Sequence, residues 1–162
     1  MFKVLFVEDE VNKAREVRDF LKNNYSNIAL QEEKSFQGAI NKIRENQFDF
    51  ILLDMSLPLS DDGSDFETFA GIDILEELIR IDSRSFVIVI TAFDILTDIN
   101  TNTSVRLVDL DNDMSNDYSD IYLGAVQYNI SSVQWKELLS EKIDRVINGG
   151  YNENFNSRWW GM

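Results

Sequence analysis

The chain has 162 residues, a length that suits a single domain, and 44% of them are hydrophobic, which is enough for a buried core. It contains no Cys and no His, which excludes disulfides, thiolate chemistry and any catalysis or metal binding by histidine. The net charge of −14 argues against direct binding to nucleic acid or anionic lipid, because such binding needs clustered Lys and Arg. No segment is apolar enough to span a membrane and the N-terminus lacks signal-peptide features, so we expect a soluble cytoplasmic protein.

Short apolar strands alternate with amphipathic helices along most of the chain. The predicted strands cover residues 2–7, 28–30, 50–53, 86–90 and 124–129. The predicted helices cover residues 11–24 and 133–147, with two more starting after Ser35 and at Gly71. Strict alternation of this kind predicts an α/β fold with a five-stranded, doubly wound parallel sheet and helices on both of its faces.

The third predicted strand is an unbroken apolar run over residues 50–53 that ends at a carboxylate, Asp54. A run without polar alternation is typical of a strand buried on both faces, and Pro58 prevents the strand from continuing. Ligands of open α/β sheets bind at the carboxyl ends of the strands, where Asp54 is expected to lie. The alternative interpretation is that Asp54 only caps a turn.

The first predicted strand ends in the same way, because residues 2–7 are followed by Glu8, Asp9 and Glu10. Two neighbouring parallel strands would therefore bring several carboxylates to one edge of the sheet. Carboxylates crowded together repel each other, and a cation is needed if all of them are to be ionised. Oxygen ligands with open coordination positions suit Mg²⁺, which keeps several of its waters.

Five segments, found in this order, resemble the receiver domains of two-component response regulators: VLFVEDE, FDFILLDMSLP, GIDILEELIR, FVIVITA and GAVQY. The resemblance implies the flavodoxin-like receiver fold. It also implies that Asp54 is the phosphoacceptor, that Thr91 supplies the switch hydroxyl, and that Tyr128 is the rotating aromatic side chain.

The same resemblance implies a Mg²⁺ site and a phosphoryl donor. Asp9, Asp54 and the backbone carbonyl of Ser56 would hold the metal, and Glu8 would act on it through water. The donor would be a histidine kinase or a phosphotransfer protein that carries a phosphorylated histidine.

The sequence departs from the family pattern at the position of a positively charged residue. Ser131 stands where receiver domains have a Lys, and Ser132 stands where a Pro usually follows. Ser131 is too short to replace a Lys and carries no charge, but its position predicts an N-cap for the last helix with Gln134 as capping-box partner. The nearest cation along the chain, Lys136, is expected to lie inside that helix.

Two segments are longer than the family pattern, near residues 59–70 and 94–120. The second segment replaces the region of the fourth helix, and residues 105–110 within it are a candidate for an extra edge strand. Long loops in compact domains are often functional or mobile, whereas the alternative is a tolerated surface insertion.

Acidic and polar residues alternate within the second insertion in a way that is similar to a calcium-binding EF-hand loop. They are Asp109, Asp111, Asp113, Ser115, Asp117 and Asp120. Met114 stands where the turn Gly belongs, and Asp120 replaces the bidentate Glu. A solvated acidic segment is therefore favoured over a calcium site.

We expect a receiver-like domain over residues 1–148, followed by a C-terminal tail over residues 149–162. The tail contains Trp159 and Trp160, which would either pack back on the domain or form a docking peptide or dimer contact.

The sequence thus favours a receiver that takes a phosphoryl group on Asp54 and signals through protein contacts to an unknown output partner. It would not be an enzyme beyond self-catalysed phosphotransfer and autodephosphorylation, and it would bind neither nucleic acid nor membrane. The first alternative is a pseudo-receiver, which uses the same fold as a phosphorylation-independent protein-binding module. A phosphohydrolase of the haloacid dehalogenase type is disfavoured, because Ser56 stands where that family needs a second Asp. The oligomeric state stays open.

Overall fold

The computed structural model describes residues 1–148. The expectations for Trp159 and Trp160 lie outside the described residues. In chain order, the strands are β1 (Phe2–Val7), β2 (Ile28–Glu33), β3 (Phe50–Leu53), β4 (Leu57–Pro58), β5 (Phe66–Glu67), β6 (Phe86–Thr91), β7 (Ile95–Asp98), β8 (Thr103–Arg106) and β9 (Tyr122–Gln127). The helices are α1 (Val11–Asn24), α2 (Phe36–Glu45), α3 (Ala70–Arg80), α4 (Leu107–Asp117) and α5 (Gln134–Ile147).

The main sheet has five strands in the order β2-β1-β3-β6-β9, and every neighbouring pair is parallel. Two apolar cores lie on its opposite faces: α1 and α5 cover one face, and α2, α3 and α4 cover the other. The predicted doubly wound parallel sheet is thus confirmed.

The central strand β3 is fully buried because it pairs with β1 on one edge and β6 on the other, and because helices cover both faces of the sheet. Ile51 and Leu53 face the core beneath α2 and α3, whereas Phe50 and Leu52 face the core beneath α1 and α5. Burying one such side chain stabilises the fold by about 1.5–3 kcal/mol, which explains the absence of polar residues from this strand.

The edge strand β2 is three residues longer than its apolar run predicted, ending at Glu33 instead of residue 30. Its side chains are mostly half-buried, so polar residues can continue the strand without being desolvated. The last strand, β9, begins at Tyr122 and ends at Gln127, so it starts and ends two residues earlier than predicted.

Side-chain caps fix where the first two helices begin. Ser35 caps α2 as expected, with its hydroxyl accepting from the amide of Gly38 at 3.0 Å. The carboxylate of Glu10 caps α1 by accepting from the amides of Asn12 at 3.0 Å and Lys13 at 2.7 Å. This second cap places Lys13 in the first turn of α1, directly after the acidic end of β1.

The prediction that Ser131 caps the last helix is wrong. Its hydroxyl donates to the side chain of Asn129 at 2.8 Å, and α5 begins only at Gln134. The amide of Gln134 donates to the hydroxyl of Ser132 at 3.1 Å. Ser131 is instead part of a tight turn that Asn129 organises, with the amide of Ser132 bonding to the Asn129 carbonyl at 3.1 Å.

The first insertion contains β5, which pairs antiparallel with β4, the short strand just before the insertion at the carboxyl end of β3. The second insertion begins with the antiparallel pair β7 and β8 and continues into α4.

The candidate edge strand over residues 105–110 is therefore wrong, because the strand ends at Arg106 and a helix follows. Leu107, Leu110 and Met114 recur at helical spacing and are buried against the sheet, which explains why this segment is a helix.

The alternating acidic residues lie mainly on α4, so they do not form an EF-hand loop. Asp111 instead ties α4 to β9, since its carboxylate accepts from the Tyr122 hydroxyl at 2.6 Å and from the Ala125 amide at 3.0 Å.

Among the described residues, no helix combines the length and the apolar character that a membrane span requires.

Candidate functional site

The carboxyl ends of β1, β3 and β6 meet at one edge of the sheet. Glu8 and Asp9 follow β1, Asp54 follows β3, and Thr91 is the last residue of β6. The amide of Asp54 donates to the Val7 carbonyl at 3.2 Å, which links the ends of the first two strands. Three strands that are far apart in sequence thus bring the predicted site residues to a common edge.

A cavity of about 640 Å³ opens at this edge. Its walls include five of the predicted site residues: Glu8, Asp9, Asp54, Ser56 and Tyr128. The two insertions supply the outer wall, through Phe66 of β5 and Thr97 of β7. Thr91 does not line the cavity, because its side chain is fully buried and its hydroxyl oxygen accepts from the Phe93 amide at 3.3 Å.

Lys13 lies at the centre of the acidic cluster, and sequence reasoning missed it. Its ammonium nitrogen, Nζ, is 2.6 Å from Glu8 Oε1 and 2.8 Å from Asp54 Oδ2. It also donates to the Ile90 carbonyl at 2.7 Å, and the residue is only 3% exposed. Asp54 Oδ2 and the Ile90 carbonyl accept hydrogen bonds from the ammonium group, whereas Glu8 Oε1 is an ion-pair contact without a hydrogen bond.

A sequence signal for this lysine exists in the spacing of α1. Lys13 belongs to the same helical stripe as Ala14, Val17 and Leu21, all of which are buried against the sheet. A Lys in an otherwise apolar stripe is unusual, because an ammonium group is rarely buried unless it is paired. Next to a predicted carboxylate cluster, such a Lys is a candidate partner for it.

Burial raises the pKa of Glu8, and the charge of Asp54 adds to this effect while Lys13 opposes it. The pKa of Asp9 is also raised, first by burial and then by the charge of Asp54, although a backbone hydrogen bond acts in the opposite direction. The cluster is therefore short of positive charge even with Lys13 in place, since two carboxylates share one ammonium group.

Tyr128 points inward and contacts the site through Lys13. The lysine Nζ lies 5.7 Å from the centre of the Tyr128 ring, a distance at which a cation–π interaction is favourable. The Tyr128 hydroxyl donates to Glu16 at 3.0 Å, and the ring packs against Trp135 at 5.2 Å. Burial, followed by the bond to Glu16, raises the pKa of Tyr128 to about 12.

The residues at the cavity suit Mg²⁺, which keeps several water ligands, better than a metal whose ligands are all protein groups. Within residues 1–148, no group of three or more acidic side chains is arranged to bind a metal. Mg²⁺ needs only one or two carboxylates, because it retains several waters. Asp9 is exposed to the cavity and Asp54 has one oxygen, Oδ1, that is not paired with Lys13. Glu8, by contrast, is paired with Lys13.

A family model for the response regulator receiver domain matches residues 4–110. The chain therefore belongs to the receiver domains of response regulators, which are signalling domains of two-component systems.

Among curated proteins, the chain is similar to the Detocs response regulatory protein DtcB of Enterobacter cloacae. The two are 25% identical over 153 residues, which cover 89% of this chain and 99% of that protein. It is also 26% identical over 143 residues to the uncharacterized protein y4jR of Sinorhizobium fredii, covering 83% of this chain and 91% of that protein.

Solved receiver structures share the fold. The response regulator TrrA of Thermotoga maritima, solved with Mg²⁺ and beryllofluoride, superimposes with a TM-score of 0.57 at 17% identity and covers 88% of this chain and 99% of its own. A receiver domain from Clostridium thermocellum superimposes with a TM-score of 0.61 at 18% identity, covering 93% and 97% of the two chains. These matches confirm the predicted flavodoxin-like receiver fold.

Proposed function

We propose that the chain accepts a phosphoryl group on Asp54 from a phosphohistidine of a partner histidine kinase or phosphotransfer protein. The observation that carries this proposal is the position of Asp54. It follows the buried central strand, lines the cavity beside Asp9, and has an ammonium group 2.8 Å from one of its oxygens.

The transfer is an in-line displacement at phosphorus. An oxygen of Asp54 forms the new P–O bond, the P–N bond to the imidazole breaks, and its electron pair stays on the imidazole nitrogen. Negative charge on the phosphoryl oxygens has to be balanced, and Mg²⁺ supplies part of this balance when it is bound. Asp9, Asp54 and the Ser56 carbonyl would hold the metal, with Glu8 acting through water.

The Mg²⁺ assignment has its own test in a binding measurement. Asp9→Ala removes a carboxylate that is exposed to the cavity and has no role in pairing Lys13. We expect this variant to lose most of the Mg²⁺ affinity in a calorimetric titration. Equal affinity in the wild type and Asp9→Ala would contradict the assignment.

Thr91 and Tyr128 are proposed to report the phosphorylated state. Thr91 does not line the cavity, so we propose that its hydroxyl turns toward Asp54 on phosphorylation, giving up the bond it accepts from Phe93 and donating to a phosphoryl oxygen. The inward position of Tyr128 is held by Glu16 and the Lys13 contact, so a change at Asp54 can reach its ring. The signal would then pass to an output partner through protein contacts.

Intact mass spectrometry after incubation with acetyl phosphate and Mg²⁺ tests the proposal. We expect the wild type to gain the mass of one phosphoryl group, and Asp54→Asn to gain none. Asp65→Asn is the matched control, because Asp65 is an exposed acidic residue that lines the same cavity. Absence of a mass gain in the wild type at high donor concentration would contradict the proposal.

The second candidate function is the pseudo-receiver, a binding module that works without phosphorylation. Two observations favour it: Ser131 cannot supply a charge, and Lys13 already neutralises part of the acidic cluster without any ligand. In both cases we propose that the chain acts on no external substrate, and that its partners are proteins, not nucleic acid or membrane. The mass measurement distinguishes the two functions.

A further inference from the structure

We infer that Lys13 is the phosphoryl-binding cation of the site, presented by the first helix instead of by the junction between β9 and α5. This inference rests on the proposed function. The family resemblance implies that a Lys at position 131 would contact the phosphoryl oxygens, and we assign this role to Lys13.

Lys13 is the only Lys or Arg among the residues that line the 640 Å³ cavity in the described part of the chain. Lys136, which the sequence suggested as the nearest cation, lies on α5 and does not line this cavity. Its ammonium nitrogen instead lies 5.6 Å from the ring centre of Trp135. The positive charge available to a phosphoryl group on Asp54 is therefore that of Lys13.

The position of Lys13 is fixed independently of Asp54. Glu8 and the Ile90 carbonyl hold its ammonium group at 2.6 Å and 2.7 Å, and the cap by Glu10 fixes the turn that carries it. The site thus keeps the cation in place when the charge on Asp54 changes.

Phosphorylation changes that charge. The carboxylate becomes a neutral acyl group, and the phosphoryl group attached to it carries nearly two negative charges. The ammonium group then loses its ionic partner at Oδ2 and gains stronger acceptors at the phosphoryl oxygens. Since Lys13 also lies against the Tyr128 ring, its contact with the phosphoryl group connects Asp54 to this aromatic side chain.

A purely structural role, in which Lys13 only neutralises the buried acids, predicts different binding data. A phosphoryl-binding cation attracts the phosphoryl group and repels the metal, so its removal shifts the two affinities in opposite directions. Lys13→Met removes the charge and leaves an unbranched side chain that is one atom shorter. We expect it to bind Mg²⁺ more tightly, and to bind beryllofluoride about 10- to 100-fold more weakly, as expected for the loss of an ionic hydrogen bond.

The measurements are calorimetric titrations of the full chain, first with Mg²⁺ alone and then with beryllofluoride at saturating Mg²⁺. Lys22→Met is the matched control, because Lys22 is an exposed cation on the same helix. Lys13→Arg, which keeps the charge, is expected to retain more beryllofluoride affinity than Lys13→Met. Should Lys13→Met fail to fold, the double variant Glu8→Gln/Lys13→Met removes one of the acids left unpaired and is compared with Glu8→Gln.

Each outcome decides the inference. Beryllofluoride affinity unchanged in Lys13→Met, or a loss of both affinities together, would overturn it. If the wild type is phosphorylated and Lys13→Met is phosphorylated equally fast, the inference fails while the proposed function stands. If the wild type neither takes a phosphoryl group nor binds beryllofluoride, the proposed function fails and the inference falls with it.

Discussion

Replacing Lys13 with Met should strongly destabilise the protein in the absence of Mg²⁺. The substitution leaves Glu8 and Asp54 buried beside each other without the ammonium group, which lies 2.6 Å and 2.8 Å from their oxygens. The Ile90 carbonyl also loses its donor at 2.7 Å. Breaking a buried ion pair by removing one partner costs about 3–5 kcal/mol, because the charge left behind stays desolvated.

Urea unfolding in EDTA measures this loss. The exposed Lys22 on the same helix provides the control, and Lys22→Met should change the free energy of unfolding by less than about 0.5 kcal/mol. Adding Glu8→Gln to Lys13→Met should recover part of the stability, since one of the two unpaired carboxylates becomes neutral. Mg²⁺ should also recover part of it, because it replaces the missing positive charge near Asp54.

A free energy of unfolding for Lys13→Met within about 0.5 kcal/mol of the wild type would refute the reasoning. It would mean that the acidic edge needs no internal cation, for example because its carboxylates are protonated in the folded state.

Three further predictions concern Asp54, Ser131 and Glu77. Asp54→Ala should leave the stability in EDTA unchanged or raise it, because two carboxylates share one ammonium group and Glu8 keeps its partner; a large loss in urea unfolding would contradict this. Ser131→Lys should change the free energy of unfolding by less than about 0.5 kcal/mol, since Ser131 does not cap α5, and calorimetry should show beryllofluoride binding at least as tight as in the wild type. A loss of about 1 kcal/mol, as expected for a removed helix cap, would instead support the prediction that Ser131 caps α5. Hydrogen bonds from Arg80 and then Arg44 lower the pKa of Glu77 to about 2 from its ordinary 4.5, so the stabilisation is present above about pH 4.5 and lost as the pH falls through 2. Glu77→Gln should therefore be less stable than the wild type at neutral pH in thermal unfolding, and a difference that does not shrink toward pH 2 would contradict this assignment.

The sheet could be predicted because its strands have a simple physical cause. Strands β3 and β6 are covered on both faces, so they appear in the sequence as unbroken apolar runs. Parallel strands end at a common edge, which is why the neighbourhood of Asp9, Asp54 and Thr91 followed from the order of the elements alone. The length of β2 did not follow, because a half-buried edge strand tolerates polar residues.

The cation and the second insertion could not be predicted in the same way. The partners of Lys13 depend on how α1 packs on the sheet. The helical spacing shows that Lys13 faces the core, but it does not show that the ammonium group contacts Asp54 and the Ile90 carbonyl. The position of α4 after the hairpin of β7 and β8 depends on tertiary burial of Leu107 and Met114. Asp111, which looked like a ligand or a solvated residue, is explained only by its contacts with β9.

The capping of α1 by Glu10 has a consequence for the order in which the site can be assembled. Glu8 lies just before α1 and Lys13 lies in its first turn, so bringing them together closes a short loop with a small entropic cost. A Lys at position 131 would reach Asp54 only after β9 had joined β6, which is a contact of high sequence separation. The two carboxylates that flank the ammonium group both come from the first third of the chain, so a state in which β9 and α5 have detached would still hold the ion pairs of Lys13 with Glu8 and Asp54.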